Sequence, residues 1–159
     1  MEQQILITRL LDAPPALVFK AWTDAEHLPR WFAPPGCTIV FHRLDIREGG
    51  TFLSCIHGPD DFECWCAGEY REITPERIVY TMVNTDEHGN PVDPASIGMD
   101  PAWPRETIVT VSILAHEGKT KLVLQQTVSE ELAKRTGAHP SWLLMLDRLA
   151  EQLHVASTS

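Results

Sequence analysis

Trp22-Thr23-Asp24, Arg30-Trp31-Phe32 and Asp45-Ile46-Arg47-Glu48-Gly49-Gly50-Thr51-Phe52 follow one another within residues 22–52, and their order decides the fold. Two short helical segments carrying large rings lead into a strand that turns at a glycine pair. Trp22, Trp31 and Phe32 are spaced to put their rings on one face of a helical hairpin, and such rings are stable only against a substantial apolar partner. That partner must come from the strands that follow. Gly49-Gly50 gives backbone freedom where one strand turns into the next, because glycine takes positive φ without steric cost. The pair lacks the spacing of a nucleotide loop, and its strand does not open into a helix, so it reads as a turn and not a phosphate cradle.

Before this stretch, Ile5 and Ile7 alternate with Leu6 and Thr8, which predicts a first strand. Asp12 offers a helix cap, Pro14 and Pro15 suit a first helical turn, and Leu17, Val18, Ala21 and Trp22 form one apolar stripe. Asp24 restarts the pattern for a second short helix that ends at Pro34-Pro35-Gly36. After it, strands are predicted over about 37–47, 51–57, 62–73, 77–85, 105–116 and 119–128. Most of the breaks carry hairpin chemistry: Gly49-Gly50, Gly58-Pro59-Asp60-Asp61, Thr74-Pro75-Glu76 and Glu117-Gly118-Lys119. Consecutive strands are therefore antiparallel neighbours. The exception is 86–104, a proline-rich loop with Met99 and Trp103, of a length that in compact domains is more often functional than connective.

A helical turn is expected over 129–136, broken at Gly137, and a long helix over about 140–155. In that helix Trp142, Met145, Leu146, Leu149 and Leu153 share one face, with Asp147, Arg148, Glu151 and His154 away from it. Its natural place is across the concave face of a curved antiparallel sheet, which would otherwise expose a large apolar area.

At 159 residues and 43% hydrophobic, the chain fits one globular domain over 1–159 with room for a core or a lined cavity. A net charge of −9 with thirteen scattered Lys and Arg argues against nucleic acid or an anionic membrane as partner. No secretory signal pattern opens the sequence and no apolar run reaches the roughly 18 residues of a membrane span, so a cytoplasmic location is expected. In that compartment Cys37, Cys55, Cys64 and Cys66 are expected as free thiols.

The chain resembles a family. Ala21-Trp22-Thr23, Arg30-Trp31-Phe32, Asp45-x-Arg47-x-Gly49-Gly50, Gly68-x-Tyr70-x-Glu72-Ile73-x-Pro75, Lys119-Thr120-Lys121-Leu122 and a closing Trp-bearing helix look like the SRPBCC or START-like superfamily. Within it the chain is most similar to the branch named for the activator of the heat-shock chaperone ATPase. The resemblance spans nearly the whole sequence and implies an α+β helix-grip fold of the START-like or Bet v-like kind: a curved antiparallel sheet of six to seven strands wrapped round a long C-terminal helix, with a cavity between. Members bind lipids, hormones, polyketides or other apolar molecules, and some are cyclases or hydrolases. Ser141 stands before Trp142 where the family usually has glycine. The family carries no shared catalytic residue, so none is assigned here, and no cofactor is expected. A homodimer is an expectation of the resemblance, as is the alternative role of a chaperone-associated stress-response protein.

Candidate site residues follow from strand alternation. If the turn at Asp60-Asp61 is symmetric, Cys55 lies opposite Cys66 and His57 opposite Cys64, three thiols and an imidazole on one face. Such a set suggests zinc, but a flat strand pair spaces four ligands too widely to converge, and buried free cysteines are the expectation, with no metal. Alternation also turns Phe62, Cys64, Cys66 and Tyr70 inward, with Tyr80, Met82, Leu122, Leu124 and Gln126 extending the same surface. Gln126 stands out, because an inward amide among leucines needs a partner in protein, water or ligand. Trp103 is the expected lid. Asp45 and Arg47 are expected as an ion pair. The ligand-binding set expected for a small apolar molecule is Trp31, His57, Cys66, Tyr70, Tyr80, Met82, Trp103, Gln126 and Met145. A hydrolase reading on His57 beside Cys55 or Cys66 would need a third group orienting the histidine, and none is visible in the sequence; a cyclase reading would use the cavity with His57, Tyr70 or Tyr80 donating protons.

Overall fold

The computed structural model describes residues 3–158 and has the order β1 (Gln4–Leu11), α1 (Pro15–Thr23), α2 (Leu28–Trp31), β2 (Thr38–Leu44), β3 (Thr51–His57), β4 (Glu63–Thr74), β5 (Arg77–Asn84), a 3-10 turn (Pro94–Ile97), β6 (Glu106–His116), β7 (Lys119–Ser129), α3 (Glu130–Thr136) and α4 (Ala138–Thr158). The seven strands form one antiparallel sheet in the order β1-β7-β6-β5-β4-β3-β2. β1 crosses to pair with β7, and β2 to β7 follow as a meander, joined by short turns except between β5 and β6, which pair across the long 86–104 segment. The sheet does not close into a barrel, and with the C-terminal helix it makes the α+β helix-grip fold.

One face of the sheet is apolar because the strands alternate. Val109, Val111 and Ile113 of β6 meet Leu122, Leu124 and Gln126 of β7, all buried, while intervening residues turn outward. The register Tyr70↔Tyr80, Tyr80↔Val109, Val109↔Gln126 and Gln126↔Ile5 runs one inward row across five strands. Onto this face pack Val18, Ala21 and Trp22 of α1, Leu28 and Trp31 of α2, and Trp142, Leu146, Leu149 and Leu153 of α4. Trp31 stacks edge-on to Trp22 at 4.6 Å and to Phe32 at 5.3 Å, so the ring-bearing hairpin is the core's end wall.

Three expectations are corrected. α1 begins after Pro14 with Pro15 at its first position, and no side chain caps it; Asp12 pairs with Lys119 of β7 at 3.6 Å instead. Arg148 does not face away: it lies across the end of α2, where its guanidinium donates to the carbonyls of Arg30 at 3.1 Å and of Ala33. Asp45 and Arg47 do pair, at 2.7 Å, but in the turn after β2 and not on a strand.

The 86–104 segment is ordered by its own carboxylates. Asp86 accepts from the amides of His88 and Asn90 at 2.8 and 2.9 Å, Asp93 caps the 3-10 turn, and Asp100 pairs with Arg135 of α3 at 3.2 Å. Gly89 comes within 3.8 Å of Leu53 if a Cβ is built on it, so this segment reaches the outer face of β3.

Candidate functional site

The turn between β3 and β4 decides which side chains can meet. Gly58 to Phe62 form a five-residue loop, closed by the Gly58 amide donating to the Phe62 carbonyl at 2.9 Å, with Asp60 and Asp61 both at positive φ. Aspartate tolerates that conformation better than most residues. An odd loop moves the register by one from the symmetric expectation: Ser54 pairs with Cys66, Cys55 with Trp65, Ile56 with Cys64 and His57 with Glu63. One step of register exchanges faces. The expected face of three thiols and an imidazole is therefore split. Cys64 and Cys66 point inward, and Cys55 and His57 outward beside Glu63 and Trp65. Phe62 belongs to the turn, where it is 53% exposed, and does not join the inward set.

The inward face of β4 and its neighbours borders a recess of about 220 Å³ against α4. Met82 of β5, Gln126 of β7, Met145 of α4 and Trp103 of the long loop all line it, together with Ile56, Cys64 and Trp142. Of the remaining expected residues, Cys66 occupies the next inward position on β4 and packs against the core without lining the recess. Trp31 is fully buried, and its indole N–H donates to the Ala21 carbonyl at 3.1 Å. Tyr70 and Tyr80 lie deeper, with their rings 5.9 Å apart and against Phe52. His57 stands on the opposite face of the sheet, which removes it from any site shared with Cys66, Tyr70 or Tyr80.

Gln126 has its partners within the protein. Its carbonyl oxygen accepts from the Trp142 indole at 2.8 Å, and its amide donates to the Thr107 hydroxyl at 3.0 Å. It thus fastens α4 to β6 and β7 and leaves the recess almost wholly apolar. Phe32 and Cys64 are recess residues outside the expected set. Cys64 was visible in the strand alternation, whereas Phe32 reaches the site only because α2 ends on it and turns its ring toward Trp142, 5.8 Å away.

A second, smaller space of about 10 Å³ shares Phe32 with the recess and is lined also by Trp22, Phe52, Tyr70, Ile78 and Tyr80 among others. Burial pushes the Tyr70 and Tyr80 phenols above their ordinary value, because the phenolate would lose its water. The Trp22 indole nitrogen and the Tyr80 hydroxyl are buried with no partner.

On the outer face Cys55, His57 and Glu63 hold donor atoms within 4.8 Å of one another, the set among the described residues that could hold a metal ion. The Trp65 indole donates to Glu63 at 3.2 Å, and His57 lies 3.9 Å from the same carboxylate. Burial and then the Glu63 charge push the Cys55 thiol up, so it stays protonated at neutral pH and is a poor nucleophile.

The family described as Activator of Hsp90 ATPase homolog 1-like protein matches residues 12–154. No curated protein matches the chain. Among solved structures, a protein from Chromobacterium violaceum is 23% identical with a TM-score of 0.76, covering 94% of this chain and 96% of that one. A protein from Staphylococcus epidermidis is 22% identical with a TM-score of 0.79, covering 98% and 92%. The AHSA1 protein from Silicibacter pomeroyi is 17% identical with a TM-score of 0.76, covering 97% and 99%. At these identities the structures speak for the fold. The chain belongs to the Activator of Hsp90 ATPase homolog 1-like family.

Proposed function

We propose that this chain binds one small, largely apolar molecule in the recess between the sheet and α4. The observation that carries the reading is the recess itself: about 220 Å³, walled by Met82, Trp103, Trp142 and Met145, with its one amide already hydrogen-bonded to protein. Drug-sized ligands occupy pockets of roughly 300–1,000 Å³, so the occupant here buries a single ring or a short chain. Affinity comes from apolar burial, at about 25 cal/mol per Å² removed from water. Trp103 sits on the long loop whose Asp100 is tethered to α3, a suitable cover.

Two features favour binding over catalysis. The phenols nearest the recess are held neutral by burial, which makes them slow proton donors, and the thiol on the same wall, Cys64, is likewise raised by burial. His57 is on the wrong face to act as their base.

Native mass spectrometry of freshly purified protein, compared with the denatured sample, tests the reading. The expected result is an added mass of a few hundred daltons lost on denaturation, and its absence from a Met145→Trp variant that fills the recess. A bare chain together with no saturable uptake of anilinonaphthalene sulfonate would sink it. The family's name refers to a chaperone ATPase activator, and co-purification of a chaperone with the tagged chain would favour that role instead.

A further inference from the structure

We infer that the ligand of the recess carries a neutral oxygen acceptor, which passes Phe32 and is held between the indole N–H of Trp22 and the hydroxyl of Tyr80. This deepens the ligand-binding reading and rests on it.

The two polar atoms are the starting point. Trp22 is 2% exposed and Tyr80 3% exposed, and neither the indole nitrogen nor the hydroxyl has a hydrogen-bond partner. Leaving a buried donor unmatched costs about 1–3 kcal/mol, and folded proteins rarely tolerate two beside one small void unless something else compensates. Both residues, with Tyr70, line the same small space of about 10 Å³, which has room for one oxygen-sized group. The chemistry of that space is one-sided. An indole N–H can only donate, and the buried phenol keeps its proton and so can donate. The complement is an acceptor.

Phe32 connects this space to the recess. Its ring is a wall of both, 6.0 Å from Trp22 on one side and 5.8 Å from Trp142 on the other. It also closes α2 with non-helical backbone, so it is not held by a helical rotamer on both sides. A shift of this one ring joins the two volumes, and an apolar body in the recess then extends an oxygen to the inner donors.

The charge of that oxygen follows from the walls. Neither lining set contains Lys, Arg or His. A carboxylate there would be buried without a counter-ion, at a cost that two neutral donors do not offset. A ketone, aldehyde or ester carbonyl meets the geometry without that cost.

The test uses two probes of one shape, acetophenone and α-methylstyrene, in which C=CH2 replaces C=O. Dissociation constants are measured by ligand-observed NMR for the wild type and for Tyr80→Phe, together with the melting temperature of each protein without ligand. The variant should bind acetophenone about five- to tenfold more weakly, the value of one buried hydrogen bond, with α-methylstyrene unchanged. Its melting temperature without ligand should be equal or higher, since it loses a hydroxyl that has no partner. A lower melting temperature would give the hydroxyl a structural role and overturn the inference. Binding of both probes with the same response to Tyr80→Phe overturns the inference alone. Binding of neither to the wild type overturns it together with the reading it rests on.

Discussion

Single residues divide here into those that hold the fold and those left open to a ligand, and the hydrogen-bond partners tell them apart. Gln126 looked like a recognition group because an amide among leucines demands partners, and it has them in Trp142 and Thr107. Tyr80, in the same inward row with Val109 between them, has none. Arg148 is the residue whose role sequence periodicity hid. On a helical wheel it falls beside Asp147, yet its long side chain crosses to α2 and donates to the carbonyls of Arg30 and Ala33, groups that the end of a short helix leaves without partners. Arg148→Met keeps the apolar stem and deletes those bonds. It is expected to lower unfolding free energy by about 2 kcal/mol, as for hydrogen bonds to a charged group. Urea denaturation measures it, and a midpoint equal to that of the wild type would show the α2 carbonyls to be equally well served by water.

At the scale of elements, the strands were legible because most breaks announce themselves in turn residues, and the neighbours β2 to β5 and β6 with β7 follow from short antiparallel connections, whereas β5 meets β6 across the long 86–104 segment and β1 crosses to β7 with no turn to announce it. The inward row of Tyr70, Tyr80 and Gln126 was legible from period-two alternation alone. The placement of His57 was not. It hangs on whether a turn spends four residues or five, and the left-handed backbone of Asp60 and Asp61 that settles the matter leaves no hydrophobic pattern to read. Phe32 is legible as a core ring but not as a wall of the recess, for a related reason: which way the ring points is decided by the last backbone angle of α2, not by its spacing from Trp31.

The glycine of Gly68-x-Tyr70 acquires a cause at the same scale. A Cβ at Gly68 would collide with the Thr81 carbonyl oxygen and lie 2.5 Å from the Phe52 ring, so β4 must approach β5 and the core closely at that point. Backbone on one side and a packed ring on the other leave no room to relax. Gly68→Ala is expected to cost about 3 kcal/mol or more. Gly36→Ala, at positive φ but with nothing within 4 Å, should cost only about 1–2 kcal/mol of backbone strain. Thermal melts of the two variants check the order, and a Gly68→Ala protein more stable than Gly36→Ala would contradict it.

For the whole molecule, the buried acids give stability a defined upper pH edge. Burial raises the Cys66 thiol from 9.0 to about 12, and raises Tyr70 and Tyr80 above the ordinary phenol value of 10.0. In the unfolded chain these groups lose their protons near their ordinary values, while the native state keeps them. From pH 9 upward the native state therefore binds more protons than the unfolded one, and stability falls as pH rises through the unfolded values toward the native ones. At the acid end the sign is opposite. Asp24, Asp86 and Asp100, whose carboxylates accept backbone amides, lie below their ordinary 3.8, so their contribution is present above that value and is lost as pH falls through the native one. These carboxylates are partly exposed, where screening by solvent keeps their effect small, and the alkaline edge should be the steeper. The melting temperature, followed by circular dichroism with reductant present, is expected to be level between about pH 6 and 8.5 and to fall continuously above about pH 9. In Tyr80→Phe the fall above about pH 10 should be shallower, because one of the protons held by the native state is gone. A wild-type profile that stays level to about pH 11 would mean that these phenols and the Cys66 thiol reach water in the folded protein. The sheet and α4 would then enclose less than the packing of Tyr70 and Tyr80 against Phe52 requires.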